Sequence, residues 1–505
     1  MVSRSCSQGA LRFRFSRRTL IRGSLAVGGL ALLSACGSGA AATAPPPPAA
    51  TTAPATVVQV PTAAPSSTPT VSVAAKPVSS TKTVFHVASS GFFSPTWRKS
   101  GEEIFRRYNV AHPRREAVLI DGNAAKVVTM VASGTPPSGF LTFNSADVSG
   151  LASKGALLPL SDYLVPPQSI NTIKEKLVPA AWRVSAWNGK LWSITQENDG
   201  AQLIWNKELF RQAGLSGPPK TPQELVAAAG ELTRRGPRGE LTQLGLYPFS
   251  GWVDDGPAAP WTALYGGQWF DAKKNTFTIT DPHNIESFQL LLQISNVQGG
   301  EPALTTFMQQ FKHGPISGMA LGKIAMVYWG EGGPGAMQAA SKLTFSNLGY
   351  ACLPHAPGGY CGELKAGNSF MVLKGAKHPH AMADFAYWEV MNVSEPLLIG
   401  EFTPAGGTNL PVLTSDLIPG SPNYVRLLKQ VPYVQSWLAM SQSGSYIPPD
   451  YTPLANWVNG QLDKTLTSIY ERKVDVAAGL QQVQRAVDVR WQEFLKRNPH
   501  WHNEA

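Results

Sequence analysis

An α/β fold in two lobes is the architecture this 505-residue sequence predicts, on three observations. From Thr83 onward, short runs rich in Val, Ile, Leu and Phe alternate with amphipathic stretches of helical period, the order that builds layered α/β domains. The alternation continues for about four hundred residues, more than one compact core usually spans, so two lobes are expected. Ahead of it lies a tract of Pro, Ala, Thr and Ser with almost no aromatic or charged side chains. That tract has too little apolar surface to fold and reads as a tether, not a third body.

In chain order, residues 1–35 read as an export signal. Ser16-Arg17-Arg18-Thr19-Leu20-Ile21-Arg22 resembles the twin-arginine motif, and Leu25–Leu33 is an apolar core too short to span a bilayer. Leu33-Ser34-Ala35-Cys36 resembles the lipobox of bacterial lipoproteins, which would make Cys36 the lipidated mature N-terminus. The alternative is an uncleaved anchor followed by an unrelated cysteine. The tether, 36–82, is extended by its prolines and would hold the body away from the membrane surface.

Strands are expected at Val84–Val87, Val118–Ile120, Phe140–Phe143, Ile324–Tyr328 and Phe370–Leu373. Between them, Thr221-Pro222-Gln223-Glu224 supplies a capping Thr, Pro at the first helical position and Glu at the third, ahead of a helix through Leu225–Leu232. Asp281-Pro282 opens another helix in the same way. Near the end, Val476, Leu480, Val483, Val487, Trp491 and Phe494 recur every three or four residues, one face of a long helix that should dock on the body.

The charge balance narrows the partners. The chain carries 43 basic and 33 acidic residues, but six arginines and no acid lie in the signal, so the mature excess is four. No Lys/Arg run is dense enough for a nucleic-acid footprint, which excludes nucleic acid as a partner. No apolar stretch of spanning length follows Cys36, so a body held outside the membrane by its lipid is expected, as a monomer.

With Cys6 removed and Cys36 acylated, Cys352 and Cys361 remain for an oxidising space. The turn formers between them can bring the two Cα atoms within disulfide range, closing a short loop worth about 2–3 kcal/mol. Two free thiols, or a metal site of Cys352, His355 and Cys361 lacking a fourth ligand, are the alternatives.

A set of segments spread from about Thr83 to about Leu495 resembles the family 1 extracellular solute-binding proteins of ABC importers, the maltose- and multiple-sugar-binding type. Ala132-Ser133-Gly134-Thr135-Pro136-Pro137, Gly155-Ala156-Leu157-Leu158-Pro159-Leu160 and Asn188-Gly189-Lys190-Leu191-Trp192 carry the resemblance early in the chain. Leu203–Phe210, Ala213-Gly214-Leu215 and Pro218–Leu225 carry it in the middle. Gly322–Gly330 and Pro404–Pro411 carry it late. Departures occur at Ser138, where the family usually has Asp, at Trp205, where it has Tyr, and at Gly330-Glu331, which follow Trp329 where the family has Gly-Pro before it. Ligand identity is therefore not transferable.

The resemblance implies a periplasmic-binding-protein-like fold: an N-terminal lobe of 83–197 plus 365–405, a C-terminal lobe of 198–364 plus 406–505, and a cleft closing about a hinge. Crossings are expected near Glu197–Asp199, Pro357–Asn368 and Pro404–Thr408, with the cysteine loop beside the second. It also implies a sugar ligand, a membrane permease as partner, and closure coupled to binding.

Sugars offer apolar C–H faces rimmed by hydroxyls, so aromatic platforms and short polar side chains are sought in the loops. Trp252, Trp261, Trp329 and Trp457 are the candidate platforms, with Trp269 a further possibility and Trp329 first among them; core packing is the alternative for each. Ser89, Ser90, Asn144, Ser145, Asn198, Asp199, Asp254, Glu331, Asn368, Gly407 and Thr408 are candidates for hydrogen bonding, since α/β sheets bind ligands at the carboxyl ends of strands. Each could instead be a turn residue or a helix cap.

Competing chemistries fit less well. Gly330-Glu331-Gly332-Gly333-Pro334-Gly335 satisfies a dinucleotide pattern but lacks an acid about twenty residues on. Asp254-Asp255, or Glu197 with Asp199, could be imagined as glycosidase carboxylates, yet sequence neighbours need not face one cleft. There is no G-x-S-x-G elbow, and His378-Pro379-His380 reads as a solvated turn. The expectation is a receptor without cofactor, metal or covalent chemistry. A receptor for another solute such as a glycerophosphodiester, or a surface glycosidase, is the alternative.

Overall fold

The computed structural model describes residues 82–94, 97–249, 259–312, 314–340, 343–393, 396–397, 409–447, 452–499 and 501. Of the sequence candidates, Cys36, Trp252, Asp254, Gly407 and Thr408 lie outside the described residues, as does the expected crossing at Pro404–Thr408.

Seventeen strands are present among the described residues. They begin with β1 (Thr83–Ala88), β2 (Arg115–Ile120), β3 (Gly139–Thr142), β4 (Leu157–Leu158), β5 (Ala186–Trp187), β6 (Lys190–Leu191), β7 (Ser193–Thr195) and β8 (Asn198–Asn206). They continue with β9 (Arg234–Arg235), β10 (Leu241–Tyr247), β11 (Phe270–Asp271), β12 (Thr276–Phe277), β13 (Ile324–Gly330), β14 (Leu348–Ala351), β15 (Gly362–Ala366), β16 (Ser369–Leu373) and β17 (Tyr446–Ile447). Two mixed sheets form the two lobes. The first has the order β2-β1-β3-β16-β4 with β7 also on β16; the second has the order β17-β15-β8-β13-β10-β9 with β14 also on β8.

In the first sheet β2, β1 and β3 run parallel, which gathers the loops that follow them at one edge. The second sheet is built around β13, whose seven residues are all buried, as a continuous apolar run requires when both faces are covered. This strand extends past the expected end at Tyr328 and includes Trp329 and Gly330. β3, by contrast, stops at Thr142, one residue short of expectation.

The helix starts follow from local chemistry. Thr221 Oγ1 accepts the Glu224 N–H at 3.1 Å, and the Glu224 carboxylate reaches back one residue further than a capping box, to the Lys220 N–H at 2.7 Å. Asp281 accepts the His283 N–H at 2.9 Å ahead of Pro282. All six apolar residues foreseen on the terminal helix Val476–Arg497 are buried, and Trp491 anchors it through Nε1 to the Asn275 carbonyl at 2.8 Å.

The core is not divided between the lobes. One apolar cluster joins Phe85, Phe140 and Phe370 of the first sheet to Trp261, Phe288 and Trp491 around the second. Another fills the second sheet's opposite face with Ile204, Leu348 and Trp437. β13 feeds both, sending Ala325 and Tyr328 into the first, Val327 and Trp329 into the second. Among the described residues, no helix is long and apolar enough to cross a membrane.

Candidate ligand-binding site

Parallel strands leave unpaired polar groups and helix starts at their carboxyl edge. At that edge of the first sheet lies a cavity of about 320 Å³, lined by Ser90 after β1, Asn123–Ala125 after β2, residues 140–144 at the end of β3, and Asp147. Asn123 and Asn144 each use a side-chain carbonyl to start a helix, taking the N–H of Lys126 and of Ala146 at 3.0 Å. Thr142 Oγ1 donates to Asp147 Oδ2 at 2.9 Å and accepts the Asn144 N–H at 3.0 Å, so the loop is held by its own side chains. Burial raises the Asp147 pKa; hydrogen bonds from Thr142 and Asn456 and the charge of Lys154 oppose that rise.

One wall is aromatic. The Phe143 ring packs edge-on to Phe92 at 5.8 Å and to Trp97 at 5.9 Å. It lies so close to Gly91 that a Cβ there would run into the ring, so only glycine admits this arrangement. Ser90 and Asn144, both foreseen, therefore meet in one cavity. Ser89 and Ser145 do not line it: both are buried, and their hydroxyls have no partner among the described residues.

A second group of foreseen residues gathers where the chain passes between the sheets. Gln196-Glu197 link β7 to β8, Gly367-Asn368 link β15 to β16, and Asn409–Pro411 run beside them. Asn198 exchanges backbone hydrogen bonds with Leu410 at 2.9 and 2.8 Å, and its Nδ2 donates to the Pro411 carbonyl at 3.0 Å. Glu197 Oε1 accepts the Asn368 N–H, and the Asn368 carbonyl accepts the Gln196 N–H at 2.9 Å. Glu331, fully buried past the end of β13, accepts the Gly200 N–H at 2.9 Å through Oε2. Its burial pushes the carboxyl pKa well above the ordinary range, and the negative charge of neighbouring Asp199 pushes it the same way. Asn198, Asp199, Glu331 and Asn368 thus converge, but in a backbone junction, with only Asp199 partly open to solvent.

The family model of the bacterial extracellular solute-binding proteins matches residues 99–388, more than half of the chain. This chain belongs to that family. Among relatives, a probable ABC transporter-binding protein of Deinococcus radiodurans is 23% identical over 209 residues, 41% of this chain and 49% of the relative. The chain thus spans about half the length of that relative. Solved structures similar to this solute-binding protein include CpMnBP1 with mannotriose bound, with 23% identity, 80% of this chain and 99% of that chain covered, and a TM-score of 0.65. Others are an ABC substrate-binding protein from Listeria monocytogenes in complex with cycloalternan (17% identity, 81% and 99% covered, TM-score 0.64) and the GacH receptor of Streptomyces glaucescens in complex with acarbose (18% identity, 82% and 99% covered, TM-score 0.63). At these identities the likeness is one of fold.

The tryptophans of this solute-binding protein are distributed differently from its cavity. Trp261 is fully buried and tilted against Tyr328 at 5.9 Å; Trp269 packs edge-on to Phe288 at 6.0 Å. Trp329, inside β13 and opposite Gln202 of β8, is 5% exposed and packs in the second lobe's cluster, with Gly333 close against its indole. Trp457 is half-buried in the first turn of the helix Ala455–Tyr470, with the Arg490 guanidinium 5.0 Å from its ring centre. None of the four lines the cavity of the first lobe.

Cys352 and Cys361 are joined by a disulfide, with Cα atoms 4.6 Å apart. It closes the connection between β14 and β15, which pair with successive halves of one edge of β8. The loop rests on the second lobe through the Ala356 N–H to the Leu264 carbonyl at 2.7 Å.

Asp147, Asn123, Thr142 and Phe143 are among the cavity residues that reading the sequence missed as site residues. The signal was present in part: Asp147 stands three residues after Asn144, in the first helical turn after the same strand. Extending the strand-end rule by one helical turn would have found it.

Proposed function

We propose that this protein captures a neutral, hydroxyl-rich carbohydrate, a mono- or oligosaccharide, and delivers it to an ABC permease without chemical change. The observation that carries the reading is the cavity lining: two hydroxyls, two amides, one carboxylate and an aromatic wall, with no Lys or Arg among the described lining residues. Such a set donates to and accepts from hydroxyls while a ring covers a C–H face. A phosphate-bearing solute such as a glycerophosphodiester would call for cationic forks. The fold neighbours solved with mannotriose, cycloalternan and acarbose bound support the same class of ligand.

We place the lobes at 83–197 with the segment from Gly367 on, and 198–366 with the C-terminal part, a reading supported by the pairing of β15 with β8 through Ala366. The junction at Glu197, Asn198 and Asn368 is the hinge. Export by the twin-arginine route, lipid attachment at Cys36 and a tether along 36–82 complete the reading, on the sequence motifs alone. The protein acts as a monomer.

Thermal melting across a panel of mannotriose, maltotriose, monosaccharides and glycerophosphocholine tests this. A bound sugar at about 100 times its Kd adds about 2.7 kcal/mol of apparent stability, so at least one sugar should raise Tm. A rise with the phosphodiester alone would replace the ligand class, and hydrolysis of a glycoside would replace the receptor reading with an enzymatic one.

A further inference from the structure

We propose that Asp147 couples the cavity to lobe closure, accepting a ligand hydroxyl on one side and the amide of Asn456 from the opposite lobe on the other. The ligand half of this proposal rests on the carbohydrate reading; the latch half rests on contacts alone.

Asp147 belongs to the helix Ala146–Ser153, which follows β3 in the first lobe, and it lines the cavity. Its Oδ2 is held by Thr142, and its Oδ1 accepts Asn456 Nδ2 at 3.4 Å. Asn456 is the second residue of the helix Ala455–Tyr470, which packs on the helices Pro282–Val297 and Val476–Arg497 of the second lobe and, across the lobes, on the helix Ala146–Ser153 itself. The same two segments share another bond, Ser149 Oγ to the Thr452 carbonyl at 3.1 Å, in buried surroundings.

A carboxylate offers about four lone-pair positions, and the protein uses one for Thr142 and one for Asn456. The remainder can take ligand hydroxyls. Thr142 fixes the carboxylate in place, so a ligand bound there and a second lobe drawn in by Asn456 meet at one rigid group. Charge-assisted bonds of this kind are stronger than neutral ones, which lets a single side chain bias the closed state.

The test uses the full chain carrying ketone-bearing amino acids at positions 110 and 489 for spin labelling; Val110 is 70% and Val489 64% exposed, one on each lobe. Electron–electron distance distributions of the ligand-free protein should contain a short-distance population that Asn456→Ala and Asn456→Asp each deplete by about threefold or more. Absence of that population in the parent protein, or its persistence in both variants, overturns the latch; a Tm unchanged in Asn456→Ala shows the fold intact. Mannotriose and maltotriose titrations read the other half: Asp147→Asn should weaken whichever sugar binds by roughly tenfold, and an unchanged affinity overturns that half. If no sugar of the melting panel binds, the carbohydrate reading fails while the distance measurement still decides the latch.

Discussion

Asn144 and Asn198 are the same residue type beside strands of the same protein, and their surroundings are opposite. Asn144 spends its carbonyl on the Ala146 N–H and leaves its amide group at the wall of an open cavity. Asn198 is fully buried and commits its backbone and its amide to Leu410 and Pro411. The contrast extends to the acids: Asp147 faces the cavity and a second lobe, whereas Glu331 is sealed against Gly200. Polar residues at the first sheet's edge face a cavity; those at the junction are consumed by hydrogen bonds between the segments that cross there. Substitutions in the first region should cost affinity, and those in the second stability.

The largest effect is expected at the junction. A Cβ on Gly367 would collide with the Glu197 carboxylate that holds the Asn368 N–H. Gly367→Ala should therefore lower unfolding stability by about 2–3 kcal/mol in urea titrations, and a loss confined to ligand affinity would erase the distinction between the regions. Removing the disulfide by Cys352→Ser with Cys361→Ser opens a loop spanning a separation of nine residues. That should cost about 2.5 kcal/mol; an unchanged Tm would make the loop incidental to the second lobe.

Glu331 gives the junction a pH dependence. Its folded-state pKa lies well above the ordinary 4.5 of a glutamate, so the folded protein keeps a proton that the unfolded chain releases. The corresponding stability is fully present below about pH 4.5 and declines as pH rises toward the folded pKa, by at most about 1.4 kcal/mol per pH unit. Asp199 is the titratable group whose charge acts on it, and the Glu331 charge in turn raises the pKa of Tyr433 in the segment Pro432–Val434. Glu331→Gln should flatten this part of the Tm profile between pH 5 and 8, and parallel profiles would remove the carboxyl from the account. The smallest effect belongs to Ser90→Ala in the cavity: stability unchanged within about 0.5 kcal/mol, with the affinity for the bound sugar down by about two- to tenfold.

Features that depend on near neighbours are legible in the sequence. Thr221 and Asp281 start helices because a side-chain oxygen needs only the N–H two or three residues ahead. The face from Val476 to Phe494 is buried because its period matches one side of a helix. Ser90 and Asn144 can be placed at the carboxyl edge of the first sheet because each closely follows a strand that the sequence shows. Trp329 reads as a platform beyond its strand and instead packs within it: whether an indole meets solvent depends on β8 and on the Gly333 turn folded over it.

The apolar strands such as β1 and β13, the helix starts at Thr221 and Asp281, the buried face of the terminal helix and the family itself were determined by the sequence alone, since each depends on neighbours a few residues apart or on motifs written in line. The tertiary structure decided which polar residues remain open and which are consumed. Gly200 meets Glu331 across 131 positions and Asp147 meets Asn456 across 309. Burial and hydrogen-bond partnership are set by what distant segments bring to a point, and no local pattern encodes that.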